Sequence, residues 1–143
     1  MEVSVYLDAS ALVPLFMTDD ALSDRSSAAV RNAASDLVVS DLAAAEFASV
    51  VARLVRTRDL TLKGARLALE TFDAWVAERA ILVELKAQDM AVCAGYLRRL
   101  DLPLRTPDAL HLAMASRLGA ALMTFDRQLI ASAKKLGVAV VRV

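Results

Sequence analysis

One cysteine, three prolines and four glycines are all that 143 residues contain. A lone thiol, Cys93, closes no internal disulfide, which suits a reducing cytosol, and a small buried thiol in the helix-like "AQDMAVCAGYLRRL" is its plain reading. With so few glycines there is no GxGxxG after the first strand-like run, so dinucleotide binding lacks its phosphate-cradling turn. Seventeen basic side chains cancel seventeen acidic ones, and the chain carries no global field of the kind that marks a constitutive nucleic-acid binder. No uncharged apolar run approaches the ~18 residues of a membrane span. The amino terminus lacks the basic start and apolar core of a signal peptide, so a soluble cytoplasmic protein is expected. No linker, repeat or low-complexity tract divides residues 1–143, which read as one domain. What is abundant is apolar: 57% of residues are hydrophobic and the mean hydropathy is +0.47. That exceeds the usual share of about 45–50%, so part of the surface is expected to be covered by another chain.

Short β-branched runs alternate with helical stretches. "VSVYL" opens the chain, and 37–39, 81–85, 121–124 and the terminal "VAVVRV" follow. The alternation predicts an α/β fold with a parallel sheet and helices on both faces. Helices are predicted from a cap at Ser10, over 20–34, over 41–56 and 61–79 as a hairpin capped at Thr61, and over 87–100. A helix opens "RTPDALHLAMASRLG" with Thr106 as cap and Pro107 in its first position, ending at Gly119, and the last spans 126–136. Pro14 is expected in the first turn of the Ser10 helix, where the missing N–H costs nothing.

Four carboxylates stand in unusually apolar surroundings. Asp8 is the only charge between Glu2 and Asp19, Glu46 the only one in "LAAAEFASVVA", Asp108 the only acid between Asp101 and Asp126, and Asp126 follows "LGAALMTF". Asp8 and Asp126 fall just beyond strands, Glu46 a turn into a helix that follows a strand, and Asp108 in the first turn of a helix. That edge of an open α/β sheet is where ligands bind. Each residue has a structural alternative: Asp126 as a helix cap, Asp108 at a helix dipole, Glu46 paired with Arg53, Asp8 on backbone amides. Together, four converging carboxylates with no adjacent lysine would resist ionisation unless a multivalent cation neutralises them. Oxygen-only ligands select a hard ion, Mg²⁺ or Mn²⁺.

"VYLDASALVPLF", "SDLAAAEFASVVAR", "RTPDALHLAMA" and "LMTFDRQLIASAKKLGV", in this order over nearly the whole chain, resemble the PIN-domain ribonucleases, specifically the VapC-type toxins of bacterial toxin–antitoxin pairs. The resemblance implies a three-layer sandwich around a five-stranded parallel sheet of order 3-2-1-4-5. It implies catalytic, metal-ligating carboxylates at Asp8, Glu46, Asp108 and Asp126, with hydroxyls at Ser10 and Thr124. It also implies RNA as substrate, a 5′-phosphate and 3′-hydroxyl as products, a homodimer, and inhibition by a small VapB-type antitoxin in a larger hetero-oligomer.

Arg105 and Arg127 flank two of the acids and are candidates for holding substrate phosphates, whereas Arg98 and Arg99 read as surface charges. Ser10 is divided between capping its helix and bonding a ligand carboxylate or the phosphate. His111, one turn beyond Asp108, is expected to be a packed or partner-facing residue outside the site. Met114, Trp75 and Phe72 are expected in the core or a dimer contact. The rivals are weaker. A phospho-receiver would need a lysine at its last strand and paired acids at its first, and a haloacid-dehalogenase-type phosphatase would need an aspartate where Ser10 stands. A catalytically silent scaffold of the same fold is the alternative that the motifs alone do not separate from an enzyme.

Overall fold

The computed structural model of the protein describes residues 3–17, 21–33 and 35–141, with Ala21 and Leu22 described by their backbone alone. Its strands are β1 (Val5–Leu7), β2 (Leu37–Ser40), β3 (Ala80–Val83) and β4 (Ala121–Met123). They pair in parallel in the order β3-β2-β1-β4, with Val5 opposite Leu37 and Ala121, and Leu37 opposite Ala80. Helices α1 (Ala9–Phe16) and α2 (Ala21–Asn32) connect the first two strands, α3 (Asp41–Arg56) and α4 (Leu62–Arg79) the next two, and α5 (Ala87–Arg98) and α6 (Thr106–Leu118) lead to β4. The last helix is α7 (Arg127–Lys135).

The two-residue period of a strand divides the core into faces. Val5, Leu7, Leu37, Val39 and Met123 pack against α1, α3 and α4, while Tyr6, Val38 and Leu122 pack against α6 and α7. Phe72 and Trp75 both belong to the first face. There Phe47 stacks on Phe72 with centroids 4.3 Å apart, and Phe16 meets Phe47, Phe72 and Trp75 edge-on at 5.5–5.6 Å. Such pairs add about 0.5–1.5 kcal/mol each beyond the area they bury. Met114 is fully buried on the second face, and Cys93 is a buried thiol between α5 and α6.

The expected fifth strand is reduced to a bridge. Val140 pairs in parallel with Leu122, flanked by Leu122 N–H to the Ala139 carbonyl and Val141 N–H to the Leu122 carbonyl, both 2.8 Å. The order 3-2-1-4-5 therefore survives, but the described part of "VAVVRV" makes too few bonds for a ladder, and Arg142 and Val143 lie outside the described residues. So do positions 20 and 34 of the predicted second helix.

Helix starts need two corrections. Asp8, not Ser10, caps α1 by accepting from Ala11 N–H, so Pro14 sits well inside the helix rather than in its first turn. Arg105 occupies the cap position of α6 and Thr106 is already helical, so Pro107 is its second residue. Thr61 caps α4 as expected, accepting from Gly64 N–H at 3.0 Å. Gly119 ends α6 in the left-handed region (φ 62°) that favours glycine.

Candidate active site

Because every strand is parallel, the residues that follow them gather along one edge of the sheet. Asp8 follows β1 and Asp126 lies just beyond β4. Glu46 stands in the second turn of α3, the helix that leaves β2, and α6 runs back against the strands so that Asp108 in its first turn reaches the same edge.

Asp8 is 5% exposed. Its Oδ1 accepts from Ser10 Oγ–H at 2.8 Å and Ala11 N–H at 3.1 Å, and its Oδ2 from Thr124 Oγ1–H at 2.6 Å. These donors are neutral. Burial pushes the Asp8 carboxyl above its ordinary pKa, and the hydroxyls of Thr124 and Ser10 only partly offset that. A buried carboxylate with neutral partners is the observation in this structure that best fits a cation.

Ser10 is neither a cap nor a loose surface hydroxyl. Its Oγ accepts Phe125 N–H at 2.9 Å and lies 3.0 Å from Thr124 Oγ1, which itself accepts Asp126 N–H at 3.1 Å. The two hydroxyls thus clasp the end of β4 to the start of α1, and one oxygen, Thr124 Oγ1, links the Asp8 carboxylate to the Asp126 backbone. Asp126 is exposed and caps α7, its Oδ1 accepting from Gln128 N–H at 2.9 Å and Leu129 N–H at 3.2 Å. The Asp108 Oδ2 accepts from Arg105 N–H at 3.1 Å. Glu46 is half-buried and its Oε1 meets Nε2 of His111, so the expected alternative partner, Arg53, is not the one it takes.

Among the described residues no group of three or more His, Cys, Asp or Glu side chains stands close enough together to hold a metal ion. The structure brings Asp8 to Asp126 through Thr124, and Glu46 to the helix that carries Asp108 through His111. It does not bring the four carboxylates into one coordination shell. Arg105 and Arg127 are exposed beside Asp108 and Asp126, Arg98 is exposed, and Arg99 pairs with Asp101 on the surface at 2.9 Å.

One residue left outside the site by sequence reasoning lies within it. His111 is packed, as expected, yet it is bonded to Glu46 through Nε2 and to Tyr6 OH through Nδ1 at 2.6 Å. Tyr6 in turn lies 2.7 Å from Ser40 Oγ. The available signals were the placement of His111 three residues after Asp108 and of a phenol two residues before Asp8.

The chain belongs to the PIN-domain family, whose model matches residues 5–136. No curated protein matches the sequence. Among solved structures it is similar to VapC20 of Mycobacterium tuberculosis, a sarcin–ricin loop cleaving toxin, at TM-score 0.74 and 18% identity over 97% of this chain and 99% of that one. It is also similar to VapBC-1 of nontypeable Haemophilus influenzae (TM-score 0.70, 14% identity, 96% of each chain) and to FitAcB of Neisseria gonorrhoeae (TM-score 0.67, 21% identity, 96% of each chain). No helix among the described residues is long and apolar enough to cross a membrane.

Proposed function

We propose that the protein is a metal-dependent endoribonuclease and the toxin of a toxin–antitoxin pair. The observation that carries the reading is Asp8: a carboxylate buried at the carboxyl edge of a PIN-domain sheet, held only by neutral donors, and linked through Thr124 to the backbone N–H of Asp126. Likeness in fold to VapC20 and to the VapBC-1 and FitAcB structures supports the toxin role and partnership with a VapB-type antitoxin. The exposed apolar side chains of Leu62, Leu67, Ile81 and Leu82 support burial against other chains, as a homodimer and in a hetero-oligomer with the antitoxin.

Asp8, Asp108, Asp126 and Glu46 would hold Mg²⁺ or Mn²⁺ only by drawing closer together than they stand in this structure. A divalent ion held by these carboxylates would supply a more acidic bound water and charge neutralisation at the phosphodiester. The remaining work belongs to side chains. Ser10 and Thr124 each donate to one oxygen of Asp8 and so hold that carboxylate at the sheet edge. Glu46, fastened by His111, orients the attacking water or completes the ion's ligands. Arg105 and Arg127 provide exposed guanidinium groups for RNA phosphates on either side of the acids. No side-chain nucleophile is required, and hydrolysis would leave a 5′-phosphate and a 3′-hydroxyl.

A scaffold that binds without cutting is favoured by one observation, that each carboxylate is already engaged by partners of its own within the protein. The two readings separate in a cleavage assay with protein freed of antitoxin. RNA should be cut with Mg²⁺ or Mn²⁺ and spared with chelator, and Asp8→Ala, Asp108→Ala and Asp126→Ala should each abolish cutting, with Glu46→Gln severely impaired. Partner binding without metal-dependent cleavage would establish the scaffold instead.

A further inference from the structure

A run of polar groups crosses the second face of the core, where an apolar set would pack without desolvation cost. Ala43 N–H donates to Ser40 Oγ at 3.0 Å, Ser40 Oγ lies 2.7 Å from Tyr6 OH, Tyr6 OH lies 2.6 Å from His111 Nδ1, and His111 Nε2 meets Glu46 Oε1. Tyr6 and Ser40 are fully buried and His111 is 2% exposed. The Tyr6 and His111 rings meet edge-on with centroids 5.5 Å apart. Leu112, Met114 and Leu122 pack in the same cluster as Tyr6, and the Asp8 and Asp41 carboxylates lie within electrostatic reach of its phenol.

Counting protons gives the path a direction. The Glu46 carboxylate can only accept, so in a neutral ring the proton sits on Nε2, Nδ1 accepts, and the Tyr6 oxygen is left to accept from Ser40. The Tyr6 proton then goes to His111 Nδ1, a far better acceptor than the Met114 Sδ at 3.8 Å. The opposite tautomer would turn a nitrogen lone pair onto a carboxylate oxygen.

The path passes close in sequence to Asp8 and Asp108 and ends on Glu46, and only Asp126 lies away from it. Ser40 is the cap of α3, which carries Glu46; Tyr6 precedes Asp8 by two residues; His111 follows Asp108 by one turn. We propose that His111 is the positioning residue for Glu46, and that Tyr6, anchored by Ser40, holds its other nitrogen and so the orientation of the ring. A glutamate on a helix surface has three free torsions. A donor locked in place behind Oε1 removes that freedom and leaves the second oxygen for a ligand or water. The assignment of Glu46 to the metal and water site rests on the ribonuclease reading; the direction of the relay does not.

The histidine is the sole one in the chain, so its ring nitrogens are read without resonance assignment. In metal-free protein at neutral pH, a long-range ¹H–¹⁵N correlation spectrum should show the Nε2–H tautomer, and Tyr6→Phe, which deletes one oxygen, should keep that tautomer while shifting the Nδ1 resonance, its hydrogen bond lost. Calorimetry with Mn²⁺ should show His111→Leu binding about 10–100-fold more weakly than the wild type, with His111→Gln, whose amide can still donate to Glu46, recovering most of the loss. In cleavage the loss should fall on kcat with KM for RNA unchanged. Thermal melts verify folding; should His111→Leu not fold, Tyr6→Phe and His111→Gln carry the same comparison. An Nδ1–H tautomer in the wild type, or a folded His111→Leu that binds Mn²⁺ as tightly as the wild type, would overturn the proposal while leaving a nuclease standing. A wild type that shows the expected tautomer but neither binds Mn²⁺ nor cuts RNA would instead overturn the nuclease reading and the role given to Glu46.

Discussion

Asp8→Asn separates what this carboxylate costs the fold from what it contributes to the site. Three neutral donors reach Asp8, and a hydrogen bond to an ionised group returns about 1.5–3 kcal/mol. Desolvating a carboxylate costs several kcal/mol. The cost is the larger of the two, because burial holds the Asp8 carboxyl above its ordinary pKa despite those donors. The folded state therefore keeps a proton that the unfolded chain releases. Stability from this group is complete below the unfolded pKa and falls as pH rises through the folded one. Asparagine retains the Oδ1 bonds, can donate from Nδ2 to Thr124 Oγ1, and caps a helix as well as aspartate. In chelator at neutral pH, Asp8→Asn should be more stable than the wild type by about 1–2 kcal/mol. For a chain of this size that is roughly 3–8 °C in Tm. At Mn²⁺ one hundred times its Kd the wild type should gain about 2.7 kcal/mol and the variant much less, reversing their order. Thermal melts over a pH series, with chelator and with Mn²⁺, give the difference between the two proteins, in which every other titrating group cancels. A variant less stable than the wild type in chelator, or a difference that does not grow with pH, would refute the burial argument.

The second buried carboxylate should behave in the opposite sense. Asp89 is 1% exposed, and although burial alone would raise it, bonds from Arg117 at 2.8 and 3.0 Å and from Lys86 N–H hold it below the ordinary range. Arg117→Met should cost about 3–5 kcal/mol at neutral pH by leaving that charge unpaired. The wild-type advantage is present above the unfolded carboxyl pKa and is lost as pH falls through the lowered folded value, so the deficit should shrink in acid; one constant with pH in melts would count against the pair. Gly119→Ala should cost about 1 kcal/mol from backbone strain alone, since an added Cβ meets nothing within 4 Å; denaturant titration finding no loss would contradict this. Light scattering should give a dimer, and a particle of only 15.4 kDa at micromolar concentration would remove the proposed self-association.

Much of this protein was legible along the chain because the relevant physics is local. Alternation of short β-branched runs with capped helices requires a parallel sheet, and a parallel sheet gathers the residues after its strands at one edge, which is why Asp8, Glu46, Asp108 and Asp126 stood out in apolar surroundings. Thr61 and Gly119 were readable for the same reason, as a cap bond spans three residues and a left-handed turn only one. The start of α1 was misread because Asp8 and Ser10 are both good caps. The choice between them depended on Ser10 being claimed by Phe125 N–H, 115 positions away.

The same distance in sequence hid His111. Its partners Tyr6 and Glu46 lie 105 and 65 positions away, and Thr124 reaches Asp8 across 116. The identity and approximate place of the acids follow from composition and periodicity, which are properties of neighbours. Which hydroxyl holds which carboxylate, and which nitrogen faces Glu46, follow only once helices α3 and α6 pack on opposite faces of β1 and β2, because a hydrogen bond is decided by a few tenths of an ångström between groups that the chain itself keeps far apart.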